Sequence, residues 1–540
     1  MTSKLTGLFI VFFWIVYPAE YEVSTAARTS LAFAKRSLEA CTTSHHKCLP
    51  PDIAFSPTRL IEICKDGCRL RTDILFGTPY TTLSHCWGTN DIFKLKRDNI
   101  DDLQNNIPLE ELSKTFQDAI LVTQSLGFSY IWIDSVCIIQ DNVDDWRTES
   151  AKMSQVYGNS SVNIAATLAK NGSIGLFAER DTMKMRSQYI STPRKKLFEF
   201  APTGFYARCI SSAPLTNRAW TFQERHLAER TMHFTSEQIM WECRDKIACE
   251  TLPDGIPMAM IPRFDVFPST VNPDDWCQTV SIYSRAKLTY GTDKLMAISG
   301  VARKFQERTP DQYLAGLWRR NIGRQLCWRK HEPNGTHESD STPYRAPSWS
   351  WASTDCPVTW RLWTTNNASL IMPGQKIFIE ILEFHAILAG SDEIGQIESA
   401  ELQVKCGALI EVDALTWFDG KLYYDTEERE SSRNGSGCYL LPTVGMTRRD
   451  DAFNDEKSKM TAAAEEPASY GLIVEKVEHR GKGYFARVGV YDIDLGVAIY
   501  QDSITGLDSD HSRIFMDESF YQEVLEPNSD GHKQYSITLL

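Results

Sequence analysis

From Tyr80 onward, short apolar runs alternate with stretches whose apolar residues recur every three to four positions, the pattern of strands feeding helices. The run YTTLSHCW reads as a strand ending at Gly88, and LSKTFQDAILVTQSLGF as an amphipathic helix with Phe116, Ala119, Ile120 and Thr123 inward and Gly127 as its stop. Tyr130 to Ile133 is nearly all apolar, as expected of a strand covered on both faces. The acidic segment QDNVDDW opens a second helix, with Trp146, Met153, Val156 and Tyr157 inward, and SVNIAATLA follows as a strand. A charged connection over 180–213 leads to a further helix from Pro214. RTMHF and QIMWEC then form a strand pair about a Thr-Ser-Glu turn. This alternation predicts an α/β fold with a parallel sheet flanked by helices.

The flanks differ in texture. DDWCQTVSIYSRAKLT and DQYLAGLWRRNIGRQLCW read as helical segments. Beyond Pro343, runs such as KIFIEILEFHAIL, ELQVKCGALIEV, GCYLLPTVGM, YGLIVEKVE and GYFARVGVYDI predict an antiparallel β domain. The polar stretch 428–467, interrupted by one short strand, is expected to be mobile. The expected division is an N-terminal region (1–75), the α/β domain (76–250), a helical region (251–342), the β domain (343–505) and a tail (506–540).

A chain of 540 residues suggests roughly two to four domains. Its 14 Trp and 20 Tyr imply buried aromatic clusters. The net charge of −13, with no basic stripe, argues against nucleic acid as a partner. Fourteen cysteines spread along a long chain suggest reduced thiols in the cytoplasm. Against this, Lys4, the apolar run Leu8 to Tyr17 and Pro18-Ala19 have the layout of a signal peptide. A buried N-terminal helix or an upstream extension would read the same, and the run is too short for stable membrane insertion. Cys41, His45, His46, Cys48, Cys64 and Cys68 are of zinc-binding types. Their spacing is loose, and Cys64 and Cys68 would share one helical face. The preferred reading is therefore buried thiols packed as small hydrophobes, with no metal assigned.

In a parallel α/β sheet, ligands bind beyond the carboxyl ends of the strands. Two such ends deliver Ser84, His85, Cys86, Trp87 and Gly88, and Asp134, Ser135 and Cys137. Asp134 either accepts ligand hydroxyls or caps the following loop. Glu224 shares a helical face with Trp220, Gln223 and Leu227, so it is either paired with Arg218 or Arg225 or kept desolvated for chemistry. Glu149 sits at the border of a buried face and reads as a boundary residue reaching solvent or paired with Lys152 or Arg147. A His85–Cys137 nucleophile–base pair is disfavoured. No GxxxxGK[ST] or GxSxG occurs, so P-loop hydrolysis and α/β-hydrolase chemistry lack support.

Three blocks together, YTTLSHCWG, YIWIDSVCIIQDNVDDWRTESAKMSQVYGNSSVNIAA and PLTNRAWTFQERHLAERTMHFTSEQIMWEC, resemble the heterokaryon incompatibility (HET) domain of filamentous fungi. Cys41-x3-His45-x2-Cys48 with PTRLIEI, the YSRAKLTYGTDKLMAISGVARKF block, AGLWRRN and RAPSWSWAS look like longer members of that family. The resemblance implies an intracellular effector of cell death in fungal non-self recognition, acting with an incompatibility partner protein and as a homo-oligomer. The family is remotely similar to Toll/interleukin-1 receptor (TIR) domains, several of which hydrolyse NAD. Trp220-Thr-Phe-Gln-Glu224 keeps the Trp-x3-Glu spacing of their catalytic helix but has Thr221 in place of a cysteine. On that analogy NAD is the substrate, with no resident cofactor expected, and Glu224 is the candidate catalytic carboxylate. Asp134 would hold ribose hydroxyls, and Trp87, Gly88, Trp132 and Trp220 would line the nucleotide site. The alternatives are a non-enzymatic assembly module and a biosynthetic enzyme reusing the scaffold.

Overall fold

The structure, a computed structural model, describes residues 8–11, 21–65, 67–88, 92–185, 188–191, 197–202, 204–262, 273–331, 344–360, 376–390, 392–412, 420–426, 437–448, 466–493, 516, 518–529 and 533–540. The chain divides into two units. The first comprises Met1–Ser269, Ala286–Leu288 and Met296–Ala302, and the second Thr270–Arg285, Thr289–Leu295 and Arg303–Leu540.

The first unit is built on an eight-stranded sheet. Helix α1 (Arg28–Ser44) precedes a hairpin of β1 (Leu60–Cys64) and β2 (Gly67–Arg71). Then follow β3 (Thr81–Ser84), α2 (Lys114–Ser125), β4 (Tyr130–Trp132), α3 (Val143–Gly158), β5 (Val162–Ala165), α4 (Ala219–Leu227), β6 (Arg230–Phe234), β7 (Ile239–Cys243) and β8 (Ile247–Cys249). The strand order is β8-β7-β6-β5-β3-β4-β1-β2. The central pairs β4–β3, β3–β5 and β5–β6 are parallel, and antiparallel hairpins extend both edges. The predicted parallel core is present. Residues of β3 and β5 are buried throughout, as expected of strands covered on both faces.

Phe116, Ala119, Ile120 and Thr123 of α2 are buried as their spacing predicts, and Ser113 caps the helix by accepting from the Phe116 N–H. In α3, Met153, Val156 and Tyr157 are buried, Trp146 is half-buried, and Asn142 caps the acidic first turn. Cys64 and Cys68 do not share a helical face as expected. They lie in β1 and β2, because a tight turn at Gly67 folds LIEIC onto GCRLR.

In the second unit, helix α5 (Pro273–Tyr283) matches its sequence pattern. The DQYLAGLWRRNIGRQLCW segment is not one helix as expected. Tyr313–Leu314 and Leu317–Trp318 form a hairpin and Ile322–Gln325 a single helical turn. The break falls at Ala315-Gly316, both at positive φ, and a Cβ at Gly316 would meet Trp351 Nε1 at 2.8 Å. Around it packs an aromatic cluster of Trp276, Tyr313, Trp318 and Phe305, and the indoles of Trp276 and Trp351 both donate to Gly316 O. The RAPSWSWAS motif thus supplies core. Trp349 and Trp351 are wholly buried.

The β-rich part contains β9 (Glu380–Leu388), β10 (Ile397–Cys406), β11 (Cys438–Arg448), β12 (Glu466–Lys476), β13 (Tyr484–Ile493) and β14 (Gln534–Leu539), ordered β11-β12-β13-β14-β10-β9. Pairing is antiparallel except between β13 and β14, where Tyr484 and Phe485 register in parallel with Thr538 and Leu539. The strand expected within the polar stretch is β11, and the flanking 427–436 and 449–465 lie outside the described residues. Leu8–Val11 pairs with Leu197–Pro202, and 12–20 lie outside the described residues. Among the described residues no helix is long and apolar enough to cross a membrane.

Candidate functional site

Parallel pairing aligns the carboxyl ends of β3 and β4, which is why residues 84–88 and 134–137 emerge side by side. Trp87 Nε1 donates to Asp134 Oδ2 at 2.9 Å, and Asp134 Oδ1 accepts from the Ser135 N–H at 2.7 Å. Asp134 therefore does cap the turn after β4, while each oxygen keeps a second acceptor position. His85 Nδ1 lies 3.7 Å from Asp134 Oδ1, and Phe116 packs edge-on against the ring. Burial lowers the His85 pKa to about 4, outweighing the pull of Asp134, so the contact joins a carboxylate to a neutral imidazole and is no ion pair.

Helix α4 carries Glu224 toward the same strand ends. Its face is not a stripe: Ala219, Thr221, Phe222, Gln223, Glu224, Arg225 and Leu227 are all buried. Neither expected arginine forms a salt bridge with Glu224. Arg225 is committed to Glu242, and Arg218 donates to the carbonyl of His85. Glu224 Oε2 is buried without a hydrogen-bond partner among the described residues. Burial raises the Glu224 pKa to about 7; Asp134 adds to the rise, while the hydroxyls of Ser84 and Tyr157 and the charge of Arg218 oppose it. Asn163 brackets the Ser84 hydroxyl, with Nδ2 donating to Ser84 Oγ at 3.1 Å and Oδ1 within 3.2 Å to accept from it.

The remaining candidates separate. Trp87 is half-buried and Trp220 half-buried against Trp146, ring centroids 6.4 Å apart. Trp132 is wholly buried, edge-on to Tyr157 at 5.6 Å, so it has no face open to a ligand and belongs to the core. Gly88 is exposed and has φ +73°, and a Cβ there would lie 2.5 Å from Asn171 Cβ, so the position takes only glycine. Cys137 is buried, with its thiol pushed up to about 12, and His85 faces Asp134 instead of it. Glu149 does not reach solvent: it is 2 % exposed and bound by Lys152 at 3.1 Å and Thr58 at 2.8 Å.

A second cluster was only partly foreseeable. Cys41, His45, Cys48 and Cys243 bring one ligand-type atom each to within 4.8 Å of one another. His46 is exposed and Cys64 and Cys68 stay on their hairpin, so three residues grouped with them by sequence drop out. Cys243 joins from the end of β7, where its only local signal is the tight turn Cys243 to Lys246, closed by the Cys243 N–H on Lys246 O at 3.0 Å.

Residues 80–224 match the family model described as heterokaryon incompatibility protein (HET). The chain carries a HET domain. No curated protein and no solved structure matches it. The matched segment begins at Tyr80, just before β3, and ends on Glu224. It therefore contains both strand ends, while the Cys/His cluster lies outside it.

Proposed function

We propose that this HET protein is an effector of programmed cell death in fungal non-self recognition and acts in the cytoplasm by hydrolysing the nicotinamide–ribose bond of NAD. The observation that carries the reading is Glu224, a carboxylate buried at the strand ends with no ion-pair partner among the described residues and a pKa near 7. Unpartnered buried carboxylates cost stability, and such cost concentrates at sites of chemistry.

Breaking the C1′–N bond sends its electron pair to the pyridinium nitrogen, which leaves neutral, and makes C1′ cationic. An ionised Glu224 would stabilise that charge. Water then adds to C1′ and gives its proton to the same carboxylate. Asp134 has acceptor positions left for ribose hydroxyls, and Trp87 beside it offers a half-exposed indole for stacking. Neutral His85 adds no positive charge to a site that must stabilise a cation.

The test is nicotinamide release from NAD by the purified full chain. Glu224→Gln should lower it about 10²–10⁴-fold with the fold retained. Wild-type activity should rise with pH through about 7, because the ionised form acts. A Glu224→Gln protein as active as wild type would remove Glu224 from the reaction, and a folded wild-type chain that releases no nicotinamide would leave the HET domain as a non-enzymatic assembly module.

A further inference from the structure

We propose that Cys41, His45, Cys48 and Cys243 bind one zinc ion in a closed, structural Cys3His site. The four donor atoms lie within 4.8 Å of one another, and His45 Nδ1 is 3.3 Å from Cys243 Sγ. A tetrahedral zinc with its usual bond lengths sets sulfur and nitrogen donors about 3.5–3.8 Å apart, so the cluster is close to its bound geometry. All the cysteines involved are free thiols. Four ligands of zinc-preferring type fill the coordination shell and leave no position for substrate, which separates a structural site from a catalytic one.

Local structure explains how the donors meet. Cys41 and His45 are four residues apart at the end of α1, on one face of the helix. His45 is the C-cap in extended conformation, which turns the chain so that Cys48 returns to the same place. Cys243 arrives from the far side on β7. Its antiparallel partner on β6 is Arg230, and cross-strand partners project to the same face.

The surroundings have the features of a metal site's outer shell. Arg230 is 3 % exposed and points Nε at Cys41 Sγ, 3.2 Å away. Three thiolates and a neutral imidazole around a dication leave one net negative charge, which this guanidinium offsets. His45 offers Nδ1 to the cluster and turns Nε2 toward Asp245 Oδ2, 4.0 Å away, which places a carboxylate on the far side of the ring. Arg230 Nη2 also donates to Leu49 O, and the Leu49 N–H donates to Glu229, so the loop after Cys48 is held against the start of β6. The ion would thus pin α1 and its following loop to the β6–β7 hairpin.

Metal analysis of the full chain purified without chelator should give about one zinc per molecule. Cys48→Ser and Cys243→Ser should lose it, whereas Cys64→Ser, on the β1–β2 hairpin, should keep it. Because the serine variants can fail to fold, the wild-type chain also carries the test. With Co²⁺ in place of zinc it should show thiolate-to-cobalt charge-transfer bands and the strong visible bands of a tetrahedral site, both abolished by added Zn²⁺. A folded wild-type chain without zinc and without these bands overturns the proposal. So does a disulfide joining any two of Cys41, Cys48 and Cys243.

Discussion

Glu224 and His85 have displaced pKa values of opposite consequence. Folding raises Glu224 from 4.5 to about 7, so between those values the folded chain holds a proton that the unfolded chain has lost. Its contribution is full below pH 4.5 and is lost as pH rises through 7, a change of about 3 kcal/mol. His85 falls from 6.5 to about 4, so its contribution is present above pH 6.5 and is lost as pH falls through 4. The two slopes oppose each other between pH 4.5 and 6.5. Glu224→Gln removes one of them. Urea denaturation at pH 5 and pH 8 should show the variant gaining on wild type by about 2–3 kcal/mol between the two conditions, with the acid-side slope from His85 exposed. An equal difference at both pH values would mean that Glu224 titrates as an ordinary carboxylate.

At the scale of elements, α4 is held to the β6–β7 hairpin by one buried ion pair. Arg225 donates through Nε and Nη2 to the two oxygens of Glu242 at 2.6 and 3.0 Å, and Nη2 also reaches Tyr206 OH at 2.8 Å. Burial alone would push Glu242 up, yet Arg225 and His233 together hold its carboxyl well below the usual range. Arg225→Ala strands that charge and should cost about 3–5 kcal/mol in chemical denaturation. Arg225→Lys should recover little, because an ammonium cannot span both oxygens. This pair was not legible in the sequence, although RTMHF and QIMWEC were, since period-two runs about a turn declare a hairpin but not what its side chains reach. The same limit hid Cys243. Cys41, His45 and Cys48 read as a spaced triplet because a helix end brings them together locally, while the fourth donor depends on where β7 lies in the sheet. Trp132 misled for a related reason: position at a strand end does not say whether an indole turns inward.

For the molecule as a whole, the chain does not build its first unit from one continuous stretch. Residues 286–288 and 296–302 return to it after segments that belong to the second. Both returns end on α4. The Ala219 N–H donates to Lys287 O at 3.0 Å, satisfying an N-terminal donor that lacks a partner within the helix. Gly300, within the helix Met296–Arg308, donates its N–H to Gln223 Oε1 at 2.7 Å, and a Cβ there would come within 2.9 Å of Ser154 and Leu227 side chains. The glycine is what lets this helix approach α4. A fragment ending at residue 250, the boundary suggested by the hydrophobic pattern, contains every strand of the eight-stranded sheet but neither return. Amides of residues 219–227 in that fragment should exchange hydrogen at least about 100-fold faster than in the full chain, a loss of roughly 3 kcal/mol in local stability. Gly300→Val in the full chain should raise exchange over the same residues, because the branched side chain forces the helix off α4. If both proteins protect 219–227 as well as wild type does, β6 and β7 hold α4 and Glu224 in place by themselves, and the two returning segments serve only the second unit.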